Sequence, residues 1–153
     1  MNSGAQQVLI VTGSSTGIGA ATARLASKRG YVVCVNYLRH HQEAARVVSA
    51  IKADGGHAIA LQADISSESE VLSLFETTEH QLGRLTALVN NAATIESQMR
   101  LDAMDANRLR RVFATNVIGT FLCAREAVRR MSTRYGGAGG SIVNVSSGAS
   151  RSG

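Results

Sequence analysis

Eight residues constrain this chain more than any others: Thr12-Gly13-Ser14-Ser15-Thr16-Gly17-Ile18-Gly19, set between an apolar run at residues 8–12 and a helical pattern at 17–30. The preceding run is short, β-branched and apolar throughout, the form of a parallel strand buried on both faces. After the glycines, Ile18, Ala21, Ala23, Leu25 and Ala26 supply the small apolar face of a helix. Turning from strand to helix this tightly needs glycine at 13 for the turn and at 19 so that the helix packs closely on the strand. Glycine at 17 lets backbone approach a pyrophosphate. The amides that open the helix then face phosphate oxygens, and the helix dipole adds to the attraction.

The same alternation continues along the chain. Residues 31–36 form a second buried strand, 41–54 a helix stopped by Gly55-Gly56, and 57–63 a third strand leading to Asp64. Ser67 and Glu70 have capping-box spacing, which predicts a helix from there to Gly83. Residues 85–90 are a fourth strand. From 102 to 135, Leu109, Val112, Phe113, Val117, Phe121, Leu122, Val128 and Met131 keep helical spacing, which predicts one long helix ended by the glycine run 136–140. Residues 141–145 are a fifth strand. Short apolar strands alternating with helices predict an α/β protein, a parallel sheet with helices on both faces.

Composition excludes other classes. Residues 1–80 carry six Lys or Arg against seven Asp or Glu, whereas residues 81–153 carry ten against four. The excess is almost all arginine (Arg108, Arg110, Arg111, Arg125, Arg129, Arg130, Arg134), placed at helical spacing beside an apolar stripe. No aromatics interleave with it for base stacking, so no nucleic-acid partner is expected; a solvated or subunit-facing helix side, or attraction for an anionic ligand, fits better. No apolar stretch is long enough to span a bilayer, and the first seven residues are polar, so a cytoplasmic protein without a membrane partner is expected. Cys34 and Cys123 sit in apolar runs and read as buried free thiols. No metal site is expected.

With these residues in place the sequence resembles the short-chain dehydrogenase/reductase family, whose glycine pattern is Thr-Gly-x-x-x-Gly-x-Gly. Four further landmarks follow in the family's order: Asp64 after strand three, Asn90-Asn91-Ala92-Ala93 ending strand four, Asn116 within Thr-Asn-Val-Ile-Gly-Thr-Phe, and Ser146-Ser147 after strand five. The resemblance is nearest to bacterial oxoacyl-carrier-protein-reductase-like and sugar-dehydrogenase-like members. It implies a Rossmann-type doubly wound sheet, here strands one to five of the family's seven in the order 3-2-1-4-5. It also implies that Gly13, Ser15, Thr16, Gly17, Ile18 and Gly19 bind a cofactor, together with Asn36, Tyr37 and Arg39 at the end of strand two, Asp64 and Ile65 after strand three, and Asn90 and Ala92 at the end of strand four. Ser147 and Asn116 are implied as catalytic. At the end of strand two the family's NAD-binding members carry an acid that accepts from the ribose hydroxyls; here the first acid is Glu43 and Arg39 stands near, which favours NADP over NAD. Thr16 weakens this preference, because NADP-preferring relatives often place a basic residue there. Ala93 replaces the family's glycine, and if that position needs a positive φ, alanine strains it by roughly 1 kcal/mol.

The family's proton-transfer pair, a tyrosine four residues before a lysine, is absent. Tyr31, Tyr37 and Tyr135 are followed four residues on by Val35, His41 and Gly139, and the lysines are Lys28 and Lys52. Only six residues follow Ser147, fewer than separate serine from tyrosine in the family. Residues 1–153 are therefore expected to form a single domain, incomplete at its C-terminus; an average chain holds about 5% proline, this one holds none, and much of the family's proline lies in the missing part. The resemblance implies the N-terminal part of an oxidoreductase that moves hydride between NADPH and a small carbonyl or alcohol, and a homo-oligomer. A truncated nucleotide- or partner-binding protein without turnover is the alternative. In either case strand five is expected to be an exposed apolar edge.

Overall fold

The computed structural model describes residues 6–148. Five strands form one parallel sheet: β1 (Gln7–Val11), β2 (Tyr31–Tyr37), β3 (Ala58–Gln62), β4 (Leu85–Asn90) and β5 (Ser141–Asn144). Their order is β3-β2-β1-β4-β5, as expected. Between them run α1 (Gly17–Lys28), α2 (His41–Ala53), α3 (Glu68–Leu82), α4 (Ala106–Phe113) and α5 (Thr120–Met131).

Alternation along the strands gives the sheet two apolar faces. Leu9, Val11, Val33 and Val35 meet Ala20, Ala23, Ala44, Val47 and Ile51 of α1 and α2. Val8, Ile10, Cys34 and Leu88 meet Val71, Leu74, Phe75, Cys123 and Ala127 of α3 and α5. Both cysteines are buried and unbridged; burial pushes each thiol up to about 12, which leaves them inert packing groups. Between β1 and β4 the register shifts after Val8. There the Thr86 hydroxyl accepts from the Val8 N–H and donates to the Val8 carbonyl, both at 3.0 Å, replacing the lost ladder bonds.

Two expectations need correction. Residues 102–135 are not one uniform helix: α4 and α5 are joined by a π-helical segment, Ala114–Gly119, with short 3₁₀ turns at Leu101–Ala103 and Thr133–Tyr135. The chain stays right-handed helical from α4 to α5, so the apolar spacing survives while the hydrogen-bond pattern changes. The capping box also fails to form. Ser67 is the N-cap of α3 without a side-chain cap bond, and its hydroxyl lies 3.2 Å from that of Ser69. Glu70 instead accepts the Asp64 N–H at 2.8 Å, because Asp64 has drawn the chain into a turn of its own.

The basic excess is largely paired: Arg108 and Arg111 with Glu96, and Arg125, Arg129 and Arg130 with Glu126. Among the described residues no helix is long and apolar enough to cross a membrane.

Among the described residues strand β5 is the expected open edge. Val143 is 53% exposed and Val145 41%, and no charge, proline or bulge guards Ser141–Asn144. Phe113, Val117, Phe121 and Val128 are also exposed along the π segment and its flanking helices. The 153-residue chain is therefore expected to self-associate. Sedimentation over a concentration series checks this, and a concentration-independent monomer would contradict it.

Candidate functional site

In a parallel sheet, ligands bind beyond the carboxyl ends of the strands, where the strand order reverses. Here that point lies between β1 and β4. The glycine turn leaves β1 toward α1, and the Asn91-Ala92 loop leaves β4 beside it. Residues following β2, β3 and β5 share the same edge, so topology brings Arg39, Asp64 and Ser147 to one end of the sheet.

The glycine turn is held from both sides. On the β2 side, Asn36 Oδ1 accepts the Gly13 N–H at 3.2 Å and the Asn36 carbonyl accepts the Ser14 N–H at 2.8 Å. Asn36 Nδ2 donates across to Ala63 O at 3.1 Å. On the β4 side, the Thr12 hydroxyl oxygen accepts the N–H groups of both Asn91 and Ala92 at 3.0 Å. Asn91 Nδ2 then donates to the carbonyls of Thr12 at 2.9 Å and Gly13 at 3.0 Å.

The three glycines have separate reasons. Gly13 has φ +60°, and a Cβ there would lie 2.7 Å from Ala92 Cα. At Gly19 a Cβ would lie 2.6 Å from the Gly13 carbonyl oxygen and 2.5 Å from Asn91 Nδ2, so helix α1 sits directly on the turn. Gly17 has φ +56°, but nothing lies within 4 Å of its Cβ position. Its face is open, at the first turn of a helix whose N-cap, Thr16, makes no side-chain cap bond. Ser15 is buried beside it, and Ile18 is exposed.

The other expected site residues differ in burial and in surroundings. Asn36 is 2% exposed with its amide engaged as above. Tyr37 is buried in the core, its ring edge-to-face with His41 at 5.6 Å. Arg39 is exposed. Asp64 Oδ1 accepts from the N–H and the hydroxyl of Ser66 at 2.9 and 2.7 Å. Ile65 is buried under the π segment, where a Cβ on Gly119 would lie 2.9 Å from the Ile65 carbonyl oxygen. Asn90 donates to Asn144 Oδ1 at 2.9 Å, while its own Oδ1 is buried without a partner. Ala92 is tied to Thr12, and Ala93 has no positive φ, so the strain considered for it does not arise. Ser147 is exposed just after β5.

Asn116 lies in the π segment, and its side chain pairs with both backbone polar groups of Thr94 on the β4 loop. Oδ1 accepts the Thr94 N–H at 2.7 Å and Nδ2 donates to the Thr94 carbonyl at 3.0 Å. The Asn116 carbonyl accepts the Thr120 hydroxyl at 3.0 Å. Single π turns recur at functional sites because the extra residue displaces backbone groups from the regular ladder. Thr12 and Asn91 stand in the motifs quoted from the sequence without being named there as site residues, and Thr94 stands in none; all three hold the loops in place. An asparagine directly after a strand is a turn signal that pointed to Asn91; nothing local pointed to Thr94.

A parallel sheet ordered 3-2-1-4-5, with a glycine turn stapled across its switch point, defines a Rossmann-type α/β protein. The chain belongs to the short-chain dehydrogenase family: the family model described as short chain dehydrogenase matches residues 7–153. It is 49% identical over 146 residues to the uncharacterized oxidoreductase YgfF of Escherichia coli (strain K12), covering 95% of this chain and 59% of that protein. It is 38% identical over 144 residues to a cis-4-hydroxycyclohexanecarboxylate dehydrogenase of Sinomonas cyclohexanicum, covering 94% of this chain and 55% of the relative. It is also 38% identical over 145 residues to a 3-oxoacyl-[acyl-carrier-protein] reductase of Synechocystis sp. (strain ATCC 27184 / PCC 6803 / Kazusa), covering 92% and 56%. The chain thus spans between half and three-fifths of the length of these relatives.

Proposed function

We propose that this chain is the cofactor-binding part of an NADP-dependent oxidoreductase that acts on a small carbonyl or alcohol substrate. The observation that carries the reading is the glycine turn: it is fixed by Asn36 and Asn91 on its two flanks and open at Gly17. A turn pre-set in this way binds a pyrophosphate without first having to order itself. The family and the relatives' names support the reading.

In this reading Gly13, Ser15, Thr16, Gly17, Ile18 and Gly19 hold the pyrophosphate. Arg39 faces the adenosine ribose phosphate, with Asn36 and Tyr37 supporting it through the backbone at the end of β2. Asp64 and Ile65 border the adenine, and Asn90 and Ala92 border the nicotinamide ribose. The bound dinucleotide supplies or accepts hydride. Ser147 donates a hydrogen bond to the substrate oxygen, and Asn116 supports the proton path through its carbonyl and the Thr94 peptide. The tyrosine and lysine that move the proton are not among residues 1–153, so this chain by itself is expected to leave NADPH unoxidised in the presence of carbonyl substrates.

Fluorescence titration with NADPH and NADH tests the binding reading. Gly17→Ala puts a methyl group on the open face without touching protein atoms, and it is expected to weaken NADPH about tenfold. Arg39→Glu is expected to weaken NADPH about tenfold, with little effect on NADH. Unaltered NADPH affinity in both variants would overturn the reading.

A further inference from the structure

We propose that Glu96 is the positioning residue that keeps the β4 loop in register with Asn116. The proposal deepens the reading of Asn116 as a site residue and takes its functional meaning from that reading.

The loop after β4 is held at several successive points. Asn91 and Ala92 are held by the Thr12 hydroxyl, and Thr94 by the two-way Asn116 contact. Glu96 comes next. Arg111 grips its carboxylate through two nitrogens, at 2.8 and 3.1 Å, and Arg108 donates to it at 3.2 Å. Arg108 also donates to the Ser97 carbonyl, while its own N–H is taken by Asp105, the N-cap of α4, at 2.7 Å. The Arg108 side chain is only 13% exposed, so its guanidinium has exchanged water for Glu96 and Ser97. Hydrogen bonding from Arg111, joined by the charges of Arg111 and Arg108, holds the Glu96 carboxyl below its ordinary range despite some desolvation and the nearby Asp105.

The consequence is mechanical. Beyond Ser97 the chain has no regular structure until Leu101. Between the Thr94–Asn116 contact and that stretch, the loop is held by the Glu96 carboxylate on Arg111 and Arg108 and by Arg108 on the Ser97 carbonyl, and Glu96 is what fixes the Arg108 guanidinium there. With Glu96 clamped, Asn116 finds the Thr94 peptide always in reach; without the clamp, the pair must resist fraying alone.

Amide hydrogen exchange in the labelled chain tests this, reading Thr94 against Val35 at the centre of the sheet, with the Asn116 side-chain amide resonances as a second signal. Glu96→Gln keeps the shape and removes the charge. It is expected to speed Thr94 exchange about tenfold, to shift the Asn116 resonances, and to leave Val35 unchanged. Arg111→Lys, at a more exposed position, keeps the charge but loses the two-point grip and should fall between. Glu96→Asp should restore protection relative to Glu96→Gln. An unchanged Thr94 rate in Glu96→Gln, or a rise matched by Val35, overturns the proposal. NADPH titration of the wild-type chain, run alongside, reports separately on the cofactor reading: absent binding refutes that reading, while the clamp stands or falls on Thr94.

Discussion

Glu126→Ala is expected to lower the unfolding free energy by about 3 kcal/mol, as removal of one partner from a buried ionic cluster does. Glu126 lies on α5 and is 2% exposed. Its Oε1 accepts from Arg129 at 2.8 Å and from Arg125 at 3.2 Å, and its Oε2 accepts from Arg130 at 2.5 Å. Arg130 is the vulnerable partner: it is 14% exposed, stacks over Phe75 at 5.3 Å, and reaches Glu79 on α3 at 3.2 Å. Glu79 in turn accepts the Leu85 N–H that starts β4, at 3.1 Å. Removing the Glu126 carboxylate strands Arg130 between α3 and α5 with one counter-charge. Glu126→Gln, which keeps the shape, should lose most of the same stability, whereas a packing defect alone would spare it.

Acid should reproduce part of this loss. Burial pushes the Glu126 carboxyl up, but hydrogen bonds and charge from Arg130 and Arg129 outweigh it and leave the group below its ordinary value of 4.5. A carboxylate depressed in the folded state contributes its full stability above that ordinary value and loses it as pH falls toward the folded one. Urea unfolding of the wild-type chain should therefore weaken on going below about pH 4.5. The Glu126→Gln variant should show a smaller decline. Parallel pH profiles for the two would mean that Glu126 does not titrate as part of the cluster.

How much of this was readable beforehand depended on how local each signal was. The five strands and the turn at Gly13 were legible because β-branched runs and glycine spacing act over a few residues, and the sheet order followed from the resemblance those residues carried. The π segment was not legible, since helical apolar spacing is nearly the same whether a backbone bond skips four or five residues. Its correlates are contacts between distant elements, Gly119 against Ile65 and Asn116 against Thr94. Ser67 failed as a capping residue because Asp64, three residues earlier, competed successfully for Glu70 and Ser66. Asn36 shows the same difficulty at the candidate site: nothing local to the end of β2 showed that its amide bridges the glycine turn to Ala63. The arginines of α4 and α5 read as a basic face because Glu96 and Glu68 lie on other elements, and because one buried carboxylate on α5 itself, Glu126, gathers Arg125, Arg129 and Arg130 at once.

Gly13→Ala is expected to be the most damaging single methyl group in the turn, at about 3 kcal/mol from left-handed strain and overpacking together. Gly13 and Gly17 have nearly the same backbone conformation, with φ +60° and +56°. A Cβ on either meets the same intrinsic penalty of about 1 kcal/mol. They differ in surroundings. At Gly17 the methyl group enters open space, but at Gly13 it would stand 2.7 Å from Ala92 Cα and 2.9 Å from Ala92 Cβ. Ala92 cannot yield easily, because its N–H is bound to the Thr12 hydroxyl and Asn91 beside it is tied to Gly13 itself. Relief of the clash therefore means loosening the contact between the β1 and β4 loops, the two sides of the switch point. Unfolding free energies of the two alanine variants separate the contributions: Gly17→Ala measures the conformational penalty, and the excess in Gly13→Ala measures the close approach. Equal losses would show that the loops part at little cost, and the turn would then owe its glycine at position 13 to backbone conformation alone.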